Sequence, residues 1–292
     1  MNETESEVFE VVLEDVEYLR HDDAPLVATI YRPVGEGPFP MVLEVHGGAW
    51  CRGGRHDEHT LNHALASRGI AVAALDFRMP PQASYPASLC DINAAFRWFK
   101  ANAERWQLRP TAIGIMGVSS GGHQAVLTAL RAHDSRYLAT PLPSDGQVDA
   151  RAAFVIACWP VIDPLGRYHY AKAKQNTGEP YPEALDRVIP DHEKYWLTEE
   201  AMFEGTPARA LEQGEDLELP PLLCVQGEDD VVHPREHLDR FVAVYRAAGG
   251  DVSLSLYPGQ VEGFITKKPQ IAATAAAIRD IEAFIKQCDA AA

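Results

Sequence analysis

This sequence predicts an α/β fold, with a mostly parallel sheet covered by helices on both faces. Three observations carry that expectation. Short apolar runs recur along the chain, helical patterns alternate with them, and one such run ends in a glycine-flanked serine that opens a helix, Gly117-Val118-Ser119-Ser120-Gly121-Gly122.

Val8 to Leu19 alternates enough to be an edge strand, and Leu26 to Tyr31 reads as a second strand, stopped by the turn that begins Arg32-Pro33. Met41 to Val45 is a short, largely apolar run of the kind a buried strand shows. Residues 58 to 67 read as a helix, after which Gly69 restarts the chain into the strand Ile70 to Leu75. A proline-rich loop through Pro80, Pro81 and Pro86 leads into an amphipathic helix, with Leu89, Ile92, Ala95, Phe96 and Phe99 at helical spacing. Thr111 to Met116 is another short strand, and His123 to Ala132 reads as a helix. Ala153 to Ala157, Leu222 to Val225 and Val252 to Leu256 are three further strands, with helices over about 235 to 247 and 270 to 287.

Pro164 to Leu219 breaks this rhythm. It is polar and aromatic, carrying Tyr168, Tyr170, Tyr181, Tyr195, Trp196 and Phe203. A structureless loop of that length does not suit a compact domain. We therefore expect one domain over residues 1–292, with a helical cap insertion at about 164–219 that shapes the pocket.

Composition narrows the function classes. A formal net charge of -16 argues against nucleic-acid binding, which needs a basic footprint. The longest apolar run, Ala152 to Trp159, is strand-sized and far short of the roughly 18 residues a membrane span needs. Met1 to Glu10 is acidic and lacks the basic and apolar regions of a signal peptide, so the expectation is a soluble, cytoplasmic protein without a membrane partner. The five cysteines form no CxxC pair or Cys/His cluster, so no metal or redox chemistry is expected; Cys90, Cys158 and Cys224 lie in apolar surroundings. A monomer and a homo-oligomer are both left open.

The chemistry starts at Ser119. A GxSxG pattern between a strand and a helix is a nucleophile elbow: a sharp turn pushes the serine out at the sheet edge, and its flanking residues must be small for the turn to close. The following helix offers N–H groups and a dipole to developing negative charge. Ser120 competes for the role, but the register favours Ser119. His46-Gly47-Gly48-Ala49-Trp50 follows the strand Met41 to Val45. Adjacent glycines let the backbone approach a substrate, so Gly47, Gly48 and Ala49, with the N–H of Ser120, are the expected oxyanion and substrate-binding groups. His46 is expected to hold the loop by a hydrogen bond.

With His46-Gly47-Gly48, Asp76-Phe77-Arg78, Pro80, Pro86 and Gly117 to Gly122, the chain from Val27 to Phe284 resembles the α/β-hydrolase esterases and lipases related to hormone-sensitive lipase and small carboxylesterases. The resemblance implies an eight-stranded α/β-hydrolase fold, no cofactor, a small-molecule ester or acyl substrate, and a serine acylated with the help of an Asp-oriented His. Asp76 and Arg78 match a structural motif. The orienting Asp lies three residues after a glycine, which selects Asp230 in Gly227-Glu228-Asp229-Asp230, with Glu228 and Asp229 as its neighbours. The base departs from the pattern. Where the family has His-Gly-Phe, this chain has Glu262-Gly263-Phe264, 32 residues after Asp230, and no histidine follows position 237.

The expectation is therefore an atypical set, Ser119, Asp230 and Glu262, with weak turnover of ordinary esters. Glu262 would be raised in pKa by sharing a proton with Asp230. His233, close to Asp230 in sequence, and His123, just after the elbow, are the histidines that would substitute. A lyase or dehydratase using a carboxyl group, and a non-catalytic binding protein, remain the alternatives on this scaffold.

Overall fold

Why the sheet is central follows from its strands. β1 (Val11–His21), β2 (Ala24–Pro33), β3 (Phe39–Val45), β4 (Ala71–Leu75), β5 (Leu108–Val118), β6 (Val155–Cys158), β7 (Leu222–Gly227) and β8 (Val252–Tyr257) form one sheet in the order β1-β2-β4-β3-β5-β6-β7-β8. Every residue of β3, β4, β6 and β7 is buried, the polar Glu44 and Gln226 included, as strands covered on both faces require. β2 runs antiparallel to β1 and β4, and all other neighbours are parallel. The computed structural model describes residues 8–141, 148–177 and 180–291.

The helices are α1 (His59–Ala66), α2 (Ala87–Ala101), α3 (Ser120–Leu130), α4 (Pro164–Thr177), α5 (Val188–Trp196), α6 (Glu199–Glu204), α7 (Pro207–Glu212), α8 (Arg235–Ala247), α9 (Phe264–Lys267) and α10 (Ala272–Ala291). Strand alternation sends neighbours to opposite faces. Met41, Leu43 and Val45 pack with Phe96, Val126 and Phe241 of α2, α3 and α8. Val42 packs on the other face with Leu65 and Ile281 of α1 and α10. None of the described helices is long and apolar enough to cross a membrane.

The sequence-based boundaries shift in ways the backbone explains. β1 and β2 run on to Asp22 and Asp23, which alone make the hairpin turn; Asp22 takes φ 50°, a left-handed value that Asp tolerates. α3 starts at Ser120 rather than His123, because the elbow itself is the helix N-terminus. The short α9 was not anticipated.

Residues 164–219 contain α4 to α7 and a 3-10 turn at Glu183–Arg187. Their anchor is aromatic. Trp50 stacks on Tyr195 at 5.5 Å and meets Trp196 edge-on at 5.4 Å, within a cluster that also holds Tyr168 and Met202. The segment thus packs on the loop that follows β3, at the carboxyl ends of the parallel strands, where open α/β sheets place their ligands.

Candidate active site

Ser119 sits between β5 and α3 at φ 53°, ψ −119°, a strained conformation for a residue with a side chain. Its backbone is pinned on both sides: its N–H donates to the Cys158 carbonyl at 2.9 Å, and its own carbonyl accepts from Val161 at 3.0 Å. The strain turns Oγ outward, to the rim of two clefts of about 300 and 160 Å³ that it shares. Ser120 points elsewhere. It is fully buried, and its Oγ accepts from the Trp50 N–H at 3.1 Å.

The loop after β3 curls through three successive residues of positive φ, Gly48, Ala49 and Trp50. Such a run turns backbone N–H groups to one side. The N–H groups of Gly48, Ala49 and Ser120 bond to no acceptor among the described residues. Gly48 and Ala49 line the larger cleft and Gly47 and Gly48 the smaller, each together with Ser119. His46 Nδ1 bonds the Gly47 carbonyl at 2.7 Å while its ring stacks on Phe77 at 4.4 Å, which holds the loop.

The acid loop follows β7. Glu228 and Asp229 are exposed, and Asp230 is 7% exposed. Asp230 Oδ1 accepts from the N–H groups of Val232 (2.9 Å) and His233 (3.0 Å), an Asx-type turn that doubles the chain back. Oδ2 then accepts from His233 Nδ1 at 2.9 Å and from the Gln226 amide at 3.2 Å. Burial alone would raise the Asp230 carboxyl, but the adjacent His233 and these hydrogen bonds outweigh it and hold its pKa below the ordinary value. The far nitrogen of the same ring, His233 Nε2, lies 3.2 Å from Ser119 Oγ.

Glu262 departs from the sequence expectation. It lines both clefts, yet its carboxylate pairs with Lys267 and makes no hydrogen bond to Ser119, Asp230 or His233. The position beside Ser119 Oγ is taken by His233. The physical reason is the turn at Asp230, which lets one short segment present a carboxylate and, three residues on, an imidazole bonded to it. The signal readable in the sequence was that Asp-x-x-His spacing directly after β7. His123 is committed elsewhere: it accepts from Trp50 Nε1 at 3.3 Å and donates to the Gly205 carbonyl at 2.7 Å, and burial lowers its pKa to about 4.

The cysteines are not poised to react. Cys90, Cys158 and Cys224 are buried, and burial raises the half-buried Cys51 thiol to about 11. Among the described residues, no group of three or more His, Cys, Asp or Glu side chains is placed to hold a metal ion.

Glu58, on the smaller cleft, is an unusual acid. It accepts from Thr266 Oγ1, and burial raises its pKa to about 7 from an ordinary 4.5. Because the folded value lies above the unfolded one, the native state holds the extra proton between about pH 4.5 and 7. Glu58 therefore makes stability fall as pH rises through that window. Glu58→Gln is expected to gain about 3 kcal/mol over the parent at pH 8 and little at pH 4. Urea midpoints at the two pH values check this; equal shifts at both would assign the dependence to another group.

A mostly parallel sheet of this order, an elbow serine after β5 and a glycine loop after β3 define a protein of the α/β-hydrolase fold. The chain belongs to the BD-FAE family, whose profile matches residues 29–243 and so ends before Glu262. It is similar to the esterase LipC of Mycobacterium tuberculosis, 28% identical over 78% of this chain and 53% of LipC, and to the carboxylesterase NlhH of the same organism, 28% identical over 82% of this chain and 70% of NlhH. A match to the probable carboxylic ester hydrolase LipM, also of that organism, covers 44% of LipM, so the chain spans about half the length of two of these three curated relatives. Among solved structures it superposes on a hyperthermophilic esterase from the archaeon Pyrobaculum calidifontis, with TM-score 0.75 and 22% identity over 94% of this chain and 83% of that one. It also superposes on a bacterial heroin esterase, with TM-score 0.76 and 23% identity over 95% and 84%. These last two likenesses speak for the fold.

Proposed function

We propose that the protein is a serine hydrolase of carboxylic esters, working through Ser119, His233 and Asp230. One observation carries this reading: an unbroken chain of hydrogen bonds runs from Ser119 Oγ through both nitrogens of His233 to Asp230, beside backbone N–H groups with no partner among the described residues. A serine hydroxyl is too weak an acid to attack unaided and needs an adjacent base oriented by a third group. In the proposed cycle, Ser119 Oγ attacks the ester carbonyl as His233 Nε2 takes its proton. The N–H groups of Gly48, Ala49 and Ser120 receive the oxyanion. The intermediate collapses to an acyl-serine, and His233 gives the proton to the leaving alcohol. Water, deprotonated by His233, then releases the acid and restores Ser119. Asp230 stays ionised and stabilises the imidazolium. The names of the BD-FAE chain's curated relatives, esterase and carboxylesterase, support the substrate class.

The test is covalent. The parent is expected to react with a fluorophosphonate and to hydrolyse 4-nitrophenyl acetate. Ser119→Ala is expected to lose both, while Ser120→Ala keeps labelling because its hydroxyl serves Trp50. Labelling that survives Ser119→Ala removes Ser119 from the chemistry.

A further inference from the structure

The larger cleft beside Ser119 is cationic in a chain of net charge -16. Arg52, Arg167, Arg187 and Lys267 line it against two carboxylates, Asp191 and Glu262. Those carboxylates are already used, Asp191 by Arg52 and Glu262 by Lys267. Asp230, the other acid whose field reaches Arg167, is bonded to His233. Two cations are thus left over. Arg187, at the exposed rim, has no ion pair or hydrogen bond among the described residues.

Arg167 is the stronger observation. It is 5% exposed, on α4, and has no carboxylate at ion-pair distance among the described residues. Nε donates to the Val232 carbonyl at 3.2 Å, and Nη1 is buried with no hydrogen-bond partner among the described residues. Burial lowers its pKa to about 10, so it remains charged at neutral pH. A buried guanidinium with an unused donor is costly unless something completes it, and a planar carboxylate matches its fork.

Its place also says which part of a substrate it meets. Arg167 is bonded to the residue before His233, and both side chains border a second, smaller cavity. In the proposed cycle His233 delivers the proton to the leaving oxygen, so the leaving group lies on the Arg167 side.

We infer that the cleft takes esters whose leaving alcohol carries a carboxylate, bound by Arg167 with Arg187 at the mouth. This rests on the ester-hydrolase reading, and the experiment separates the two. Hydrolysis is followed by pH titration on two pairs of matched length: 5-acetoxypentanoate against pentyl acetate, with the charge on the alcohol, and monomethyl adipate against methyl hexanoate, with the charge on the acyl part. Glutarate binding to Ser119→Ala is measured by calorimetry. The expected kcat/KM ratio favours 5-acetoxypentanoate over pentyl acetate by about tenfold or more, as a charged hydrogen bond supplies. That ratio is expected to fall about tenfold in Arg167→Gln and about threefold in Arg187→Gln, a rim variant that does not disturb the core. Both ratios near one in a protein that hydrolyses the neutral esters overturn this inference alone. A preference confined to the acyl pair overturns the assignment to the alcohol. No hydrolysis of any ester, with glutarate binding weakened by Arg167→Gln, overturns the hydrolase reading and keeps the carboxylate site. Neither hydrolysis nor glutarate binding overturns both.

Discussion

His233→Ala is expected to lower kcat for 4-nitrophenyl acetate by about a thousand- to ten-thousand-fold, while Glu262→Gln stays within about threefold of the parent. The contrast follows from connectivity. His233 Nε2 lies 3.2 Å from Ser119 Oγ and Nδ1 lies 2.9 Å from Asp230, so deleting the ring removes the proposed proton acceptor and strands the carboxylate. Glu262 is bonded to Lys267 and has 28% of its side chain exposed; losing such a pair is worth at most about 1 kcal/mol. Asp230→Asn is expected to fall nearer to His233→Ala, because an amide offers a donor where Nδ1–H needs an acceptor. The three rates, measured beside urea midpoints that show each variant folded, decide the base. Parental turnover in His233→Ala, or a Glu262→Gln variant as slow as His233→Ala, reverses the assignment.

How much of this was legible in the sequence differs between backbone and base. The buried strands announced themselves because both-face burial leaves no polar alternation, as in Met41 to Val45. The elbow was legible for a similar reason: a turn that tight admits few residue types, so Gly117 and Gly121 mark it. The hairpin turn at Asp22-Asp23 was placed too wide, since exposed edge strands carry weak patterns. At the base, the family pattern drew the eye to Glu262, after β8. Catalytic geometry, however, constrains where an imidazole ends up in space and leaves open which loop brings it there. Here the Asx-type turn at Asp230 brings His233 from the preceding loop. A periodicity reading has no access to that, because the turn depends on where one carboxylate's second oxygen points. Arg167 was equally hidden: in sequence it is one arginine in a polar segment, and only burial without a partner distinguishes it.

Gly121→Ala is expected to cost several kcal/mol of stability and at least about a hundredfold in kcat/KM, although it adds one methyl group. A Cβ at Gly121 would stand 2.0 Å from the Val45 carbonyl oxygen and 2.4 Å from that of His46. Neither neighbour is a side chain that can swing away. Val45 ends β3, which is paired on both sides with β4 and β5, and His46 opens the loop carrying Gly48 and Ala49. Something in the backbone must therefore move. Overpacking a core side chain costs about 1 to 3 kcal/mol, and displacing paired backbone costs more. Whichever side yields, Ser119 separates from the proposed oxyanion loop, and a displacement of about 1 Å is enough for a hundredfold loss. Gly117→Ala should behave alike, its Cβ lying 2.2 Å from the Gly121 carbonyl oxygen. Gly54→Ala is the control, because its nearest contact is an ordinary 3.6 Å from Asp76 Oδ1. Urea midpoints and kcat/KM for the three variants test this together. If Gly121→Ala matches Gly54→Ala in both measurements, the elbow and β3 do not approach each other this closely, and the alignment of Ser119 with Gly48 and Ala49 fails with it.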